Sequence, residues 1–351
     1  MSPARGTSGL DEEDVHIRPG RGSRPRTKRR PTHEGATTGL VVAVDRGRYT
    51  CVLSDDPRAH RAPTAAAERS VTAMKSRSLG RASVVVGDRV DLVGDLSGQP
   101  GSLARIVRVR PRRGALRRTA DDTDPVERVI VAGVDQMVIV TSAAEPPPRP
   151  RLVDRCLVAA YDADVDPLLV VTKTDRGDPA GLLAGYAPLH LPIVLTGRAD
   201  GAGDHGLVGL DELSERLGGR MSVLVGQSGV GKSTLVNALV PGARRAVGAV
   251  SEVTGRGRHT STSAVALRLP AGGWVIDTPG LRSFGLAHVH PARVLNAFSD
   301  LAGGARDCPR GCSHDEPECA LDAWVAAGHA DPARLDSLRR LLRARPTQAG
   351  D

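Results

Sequence analysis

The stretch Gly226-Gln227-Ser228-Gly229-Val230-Gly231-Lys232-Ser233-Thr234 decides how this chain reads. It is G-x-x-x-x-G-K-[ST], a phosphate-binding loop. The glycines let successive backbone N–H groups turn inward and form a concave anion site. Lys232 brings a point charge to the β- and γ-phosphates, and the Ser233 hydroxyl can ligate Mg²⁺. Before the loop, Met221-Ser222-Val223-Leu224-Val225 reads as a short buried strand. After it, Lys232 to Leu239 reads as a helix whose N-terminus faces the phosphates. Strand, loop and helix together predict an α/β nucleotide-binding sheet.

The order of the other motifs is unusual. Downstream, Asp277-Thr278-Pro279-Gly280 follows the apolar run Trp274-Val275-Ile276 and supplies the Mg²⁺-side carboxylate. The base-reading candidate, Thr172-Lys173-Thr174-Asp175, lies about fifty residues upstream of the phosphate loop. It ends the predicted strand Leu168-Leu169-Val170-Val171, as a base-reading loop does in a parallel α/β sheet. An Asp carboxylate accepts from N1–H and N2–H₂ of guanine, and adenine offers no such donor pair. The Lys173 stem can lie along the base face. The order is therefore base, phosphate, Mg²⁺, a circular permutation of the ordinary GTPase order.

On these residues the chain resembles the ribosome small-subunit-dependent GTPases of the RsgA type. Gly257-Arg258-His259-Thr260-Ser261-Thr262, Asp277-Thr278-Pro279-Gly280-Leu281-Arg282-Ser283-Phe284 and a C-terminal Cys/His cluster complete the match, which runs from about Gly35 to Leu342. The resemblance implies an N-terminal OB-type barrel, a permuted α/β GTPase domain and a C-terminal zinc-binding helical domain. It also implies action on the small ribosomal subunit and its rRNA late in maturation. Two positions depart from the family: Thr172 replaces the usual Asn, and Thr196-Gly197 replaces Ser-Ala in the loop expected to meet guanine O6.

Composition agrees with a polyanionic partner. The chain has 351 residues, with Lys+Arg at 48 against Asp+Glu at 40, a net +8. That balance suits RNA better than an acidic small molecule. Aromatics are 2%, so the cores must be built from Val, Leu and Ala. No apolar run is long enough to span a membrane. Cys308, Cys312 and Cys319 cluster with His314, a set of three thiols and an imidazole that suits one tetrahedral Zn²⁺. Cysteines used for metal point to a reducing, cytoplasmic setting. The spacings here, Cys-x₃-Cys and His-x₄-Cys, are each one residue shorter than the family's.

In chain order, residues 1–34 read as a disordered basic tail, with a run of arginines between Arg18 and Arg30. Residues 35–112 hold five expected strands of the barrel: Leu40–Val44, Arg48–Leu53, Val84–Val86, Arg89–Val93 and Ala104–Val109. Thr72-Ala73-Met74-Lys75-Ser76-Arg77 reads as a basic loop between the second and third. Tyr49 is the barrel's one aromatic, so any RNA contact should rest on backbone electrostatics rather than stacking. Arg105, Arg108, Arg110, Arg112, Arg113, Arg117 and Arg118 form a second cationic stretch, expected to face RNA. The GTPase domain is expected over 113–290 and the zinc domain over 291–351. The last helix, Ala333 to Arg343, is amphipathic, with leucines on one side and arginines on the other.

The switch between Ala243 and Thr262 carries Thr260, the expected Mg²⁺-binding threonine beside Ser233 and Asp277. Leu281 stands where many GTPases place a water-positioning Gln, so His259 is the candidate to orient water, with Lys232 and Thr260 completing the catalytic set. The sequence thus predicts a monomeric GTP hydrolase stimulated by the small subunit, binding GTP and GDP, with Mg²⁺ at the nucleotide and one structural zinc. An RNA-binding assembly factor with structural GTP is the competing reading, kept open by Leu281. An ATP-dependent kinase or ATPase is disfavoured by Lys173 and Asp175.

Overall fold

The computed structural model describes residues 33, 35–53, 69–80, 83–118, 128–199, 206–243, 264–278, 286 and 289–344, with the Arg118 side chain excepted. The expected tail, the switch residues His259, Thr260 and Thr262, and Leu281 lie outside them.

The nucleotide sheet is built from fully buried strands. β8 (Gln136–Ser142), β9 (Asp166–Thr172), β10 (Ile193–Leu195), β13 (Met221–Val225) and β15 (Trp274–Asp277) run parallel in the order β10-β9-β8-β13-β15, and β14 (Val265–Arg268) joins β15 antiparallel. Between β10 and β13, β11 (Gly197–Arg198) and β12 (Leu207–Val208) form a short antiparallel pair of their own. The parallel strands read as continuous apolar runs because helices cover both faces. The alternation of side chains sorts them into two layers. Met137, Ile139, Leu169, Val171, Val223 and Ile276 face α1 (Pro150–Asp162). Val138, Val140, Leu168, Val170, Leu224 and Val275 face α3 (Leu210–Leu217) and α4 (Lys232–Leu239). The phosphate-loop helix occupies Lys232–Leu239, the span its sequence predicts.

Ahead of this sheet, β1 (Thr37–Asp45), β2 (Arg48–Leu53), β3 (Ser70–Lys75), β4 (Arg89–Gly94) and β5 (Ala104–Val109) close a ring in the order 1-2-3-5-4-1. Its third strand is not the expected one. Ser70–Lys75, predicted in part as a basic loop, buries Val71 and Ala73 in the barrel on alternate positions. Val84–Val86 is not a barrel strand. Val86 makes an isolated parallel bridge to Val131 of β7 (Arg128–Val131), which pairs with β6 (Leu116–Arg118). Tyr49 is buried in the barrel core beside Cys51, so it offers no face for base stacking. β1 also touches β14 at Ala43 and Val265, which makes barrel and nucleotide sheet one continuous array of strands.

The C-terminal helices lie on the α1 side of the sheet. α5 (Pro291–Leu295), α6 (Ser299–Ala302), α7 (Ala320–Ala326) and α8 (Pro332–Arg343) share their core with it. Phe298, Leu301, Leu321, Leu335, Leu338 and Leu341 belong to the same apolar cluster as Met137 and Leu157. The leucine face of α8 is as predicted, but its arginines are not all on the solvent side. Arg334 is buried, with its guanidinium 4.9 Å over the Phe298 ring and 2.6 Å from Asp300.

Candidate functional site

Three loops meet at the carboxyl ends of β9, β13 and β15, in the crevice where α/β sheets hold ligands. β13 delivers the phosphate loop. Gly226 sits at φ 148°, and a Cβ there would lie 2.2 Å from the Val140 carbonyl oxygen of β8, so only glycine fits. The Lys232 ammonium curls over its own loop and donates to the carbonyls of Gly226 at 2.7 Å and Gln227 at 2.8 Å. Ser233 and Thr234 are exposed at the start of α4, while Gln227 and Val230 are buried.

The segment between β8 and α1 braces this loop, a role sequence reading missed. The Gln227 amide donates to the Pro147 carbonyl at 3.0 Å. Lys173 donates to the Glu145 carbonyl and, at 2.8 Å, to that of Gly229. The one signal for it in the sequence is Pro146-Pro147-Pro148, shortly after the buried strand that ends at Ser142.

β9 delivers Thr172-Lys173-Thr174-Asp175. Thr172 is buried, and its hydroxyl lies 2.6 Å from the Val230 carbonyl and 3.1 Å from that of Thr141. Asp175 Oδ1 accepts from the Arg198 amide at 3.0 Å, and Arg176 lies 3.4 Å from Oδ2. The Arg198 amide, with a lesser contribution from Arg176, holds the Asp175 carboxyl below the usual carboxylate range. It is therefore a committed acceptor. Gly197 has no room for a side chain: a Cβ would lie 2.6 Å from Thr174 Oγ1 and 3.0 Å from Asp175 Oδ1. The Thr196-Gly197 loop thus lies against the Asp175 carboxylate. Thr172, Lys173, Asp175, Gly197, Gly231 and Thr234 line one cavity of about 120 Å³.

β15 delivers Asp277, in register with Leu224 of β13. Thr278 fixes the strand end by donating to the Leu224 carbonyl at 3.0 Å. Burial raises the Asp277 carboxyl above its ordinary range, and the Lys232 charge opposes that shift. A bound cation would relieve the same penalty. The sequence-predicted GTP residues and two of the three magnesium candidates, Ser233 and Asp277, are thus brought to one crevice. Thr260 and His259 lie outside the described residues.

A second cluster lies in the C-terminal segment. Cys308 Sγ is 3.6 Å from His314 Nδ1 and 3.8 Å from Cys319 Sγ, and Cys319 Sγ is 3.8 Å from His314 Nδ1. A tetrahedron with bonds of about 2.3 Å has edges of about 3.8 Å, so the donors fit one ion of zinc's size. Cys312 completes the set, with all four ligand atoms within 4.8 Å of one another. Between Cys312 and Cys319 the chain turns at His314, which takes a left-handed backbone conformation, φ 67°. Arg339 of α8 donates to the His314 carbonyl at 2.9 Å and grips Asp322 at 2.7 and 2.9 Å. These supports had no sequence signature.

The cationic stretch divides. Arg112 makes a two-pronged pair with the buried Asp88, at 2.7 and 2.8 Å, and Arg108 and Arg110 flank Asp91 at 3.4 and 2.7 Å. These three satisfy the barrel's own carboxylates, which corrects the expectation of a wholly RNA-facing stripe. Arg105 instead lines a groove of about 770 Å³ along the β3–β5 pair, with Lys75, Arg77, Met74 and Leu103.

A family model described as RsgA GTPase matches residues 109–287. A protein of Chlorobaculum parvum named "Small ribosomal subunit biogenesis GTPase RsgA" is 36% identical over 315 residues, 87% of this chain and 97% of that protein. The chain belongs to the RsgA GTPase family. A protein of the same name from Azotobacter vinelandii is 43% identical over 274 residues, 75% of this chain and 76% of its own. Among solved structures, YjeQ from Thermotoga maritima aligns over 88% of this chain and 97% of its own, at 26% identity and a TM-score of 0.59. YloQ, described as a circularly permuted GTPase, aligns over 90% and 96% with a TM-score of 0.60; at 22% identity it speaks for the fold alone. The permuted order read from the motifs is thus a property of this RsgA-type fold.

Proposed function

We propose that this chain hydrolyses GTP in the service of small ribosomal subunit maturation, docking on the subunit's rRNA in the cytoplasm. The observation that carries this reading is the crevice, where an ionised Asp175, the phosphate loop and Asp277 converge from three strands. Ser233 and Asp277, with Thr260 from the switch, would hold Mg²⁺, which neutralises charge on the transferring phosphoryl group when bound. Lys232 leaves its loop carbonyls for the phosphates, and Lys173 flanks the base. His259 orients the attacking water, because Leu281 has no polar group to do so. Cys308, Cys312, His314 and Cys319 would hold one structural Zn²⁺. The groove bearing Lys75, Arg77 and Arg105 is the part of the barrel that supports RNA contact. No helix among the described residues is long and apolar enough to cross a membrane.

GTP turnover with and without purified small subunits tests the proposal. Subunits should raise the rate, and His259→Ala should lose that stimulation while still docking. An unstimulated wild-type rate would count against subunit-dependent hydrolysis.

A further inference from the structure

The base loop holds a hydrogen-bonding arrangement that its departure from the family motif makes specific to this chain. The Thr172 hydroxyl has one proton. Two carbonyl oxygens face it, Val230 of the phosphate loop at 2.6 Å and Thr141 of β8 at 3.1 Å. Whichever takes the proton, the hydroxyl keeps only lone pairs for any other neighbour. Guanine N7 is itself an acceptor, so the two cannot bond.

Thr172 also lines the cavity on the side of the phosphate loop, where that edge would come. The phosphates of a nucleotide hang, through ribose, from N9 of the imidazole ring. With Asp175 at the N1 and N2 donors, the imidazole ring turns toward the phosphate loop, the side on which Thr172 lies. Thr172 Oγ1 is 3.7 Å from where a Gly231 Cβ would stand, and both residues line the base cavity. Lys173, the next residue, turns its ammonium to the Glu145 and Gly229 carbonyls.

We propose that Thr172 is a positioning residue that fastens the base loop to the phosphate loop and leaves guanine N7 unread. Guanine is then selected by its N1 and N2 donors through Asp175. This rests on the GTP reading above and refines it: the chain accepts purine nucleotides altered at position 7, provided the Watson–Crick edge is that of guanine.

The test is displacement of a fluorescent GDP from the full chain by GDP, 7-deaza-GDP, XDP and ADP. GDP and 7-deaza-GDP should compete within about twofold of each other, since loss of a neutral hydrogen bond would cost about fivefold to tenfold. Thr172→Asn adds an amide donor and should open such a gap in favour of GDP. Thr172→Val removes the fastening hydroxyl; both ligands should weaken together with their ratio still near one, so the gap opened by Thr172→Asn is the readout that a merely structural role would not move. Asp175→Asn should exchange GDP preference for XDP. A wild-type chain that prefers GDP to ADP yet binds 7-deaza-GDP about fivefold or more weakly overturns the proposal alone. A chain that does not prefer GDP to ADP overturns the guanine reading and the proposal with it.

Discussion

Gly197 shows how narrowly the base site is drawn. Its Cα faces Thr174 Oγ1 and the Asp175 carboxylate, and a Cβ would stand within 2.6 and 3.0 Å of them. Gly197→Ala must therefore displace the Thr174 hydroxyl and crowd the Asp175 carboxylate, which the Arg198 amide holds in direction. GTP affinity should fall at least tenfold, about 1.4 kcal/mol, by isothermal titration, while ATP stays weak. An alanine variant with full GTP affinity would show that Asp175 is not held from this side. In this chain the glycine and the carboxylate come as a pair.

At the scale of elements, the strand β5 and its exit sort arginines by partner rather than by sequence. Arg112 neutralises Asp88, whose side chain is fully buried, and also reaches the Ser83 carbonyl at 2.7 Å. Removing one partner of a buried pair strands the other charge, at a cost of about 3 kcal/mol. Arg112→Ala should lower the denaturant midpoint of the protein accordingly. Arg113→Ala, one residue on and less enclosed, should stay within about 0.5 kcal/mol of wild type. Equal effects from the two variants would refute the assignment. The groove along β3 and β5 gives the complementary expectation. Neutralising Lys75, Arg77 and Arg105 should weaken subunit binding and reduce its salt slope by about one for each phosphate no longer neutralised. Intrinsic GTP turnover should not change, and a fall in it would sink the separation of docking from chemistry.

Across the whole molecule, α8 joins the Cys/His cluster to the body that carries the phosphate loop. At one side Arg339 and Arg343 hold the cluster's loop through His314, Asp322 and Asp315. On the other, Arg334 donates to the Pro188 carbonyl at 2.8 Å, and Arg340 donates to that of Gly185 at 2.9 Å and stacks 5.0 Å over Tyr186. Tyr186 ends α2 (Ala180–Tyr186), the first helix after the base loop, and its hydroxyl is 3.0 Å from the buried Asp154 of α1. Metal binding and folding are linked in small thiolate sites. Chelation should therefore release about one equivalent of zinc by elemental analysis and raise hydrogen exchange first around the cluster. Because α8 shares the core, exchange should then rise in α1 and α2 as well. If α1 and α2 keep full protection while the cluster opens, the helix does not carry the coupling.

What the sequence determined by itself was the chemistry that must be local. A phosphate loop needs its glycines and Lys232 close together in the chain, a buried parallel strand needs an apolar run, and four thiol and imidazole donors in one short segment are easily gathered. Those requirements made the α/β class, the permuted motif order and the Cys/His cluster legible. The tertiary structure decided what depends on partners far away in the chain. Ser70–Lys75 became a barrel strand because β2 and β5 were there to pair with it, and no composition signal separates such a strand from a basic loop. Arg334 became buried, and Arg112 and Arg340 half-buried, because Asp300, Asp88 and Asp154 lay opposite them. An arginine's charge is legible in sequence, but the carboxylate that takes it up is set by the folded chain. Thr172 stands between the two: its departure from Asn was visible at once, and only the two carbonyls folded around its hydroxyl show where its single proton goes.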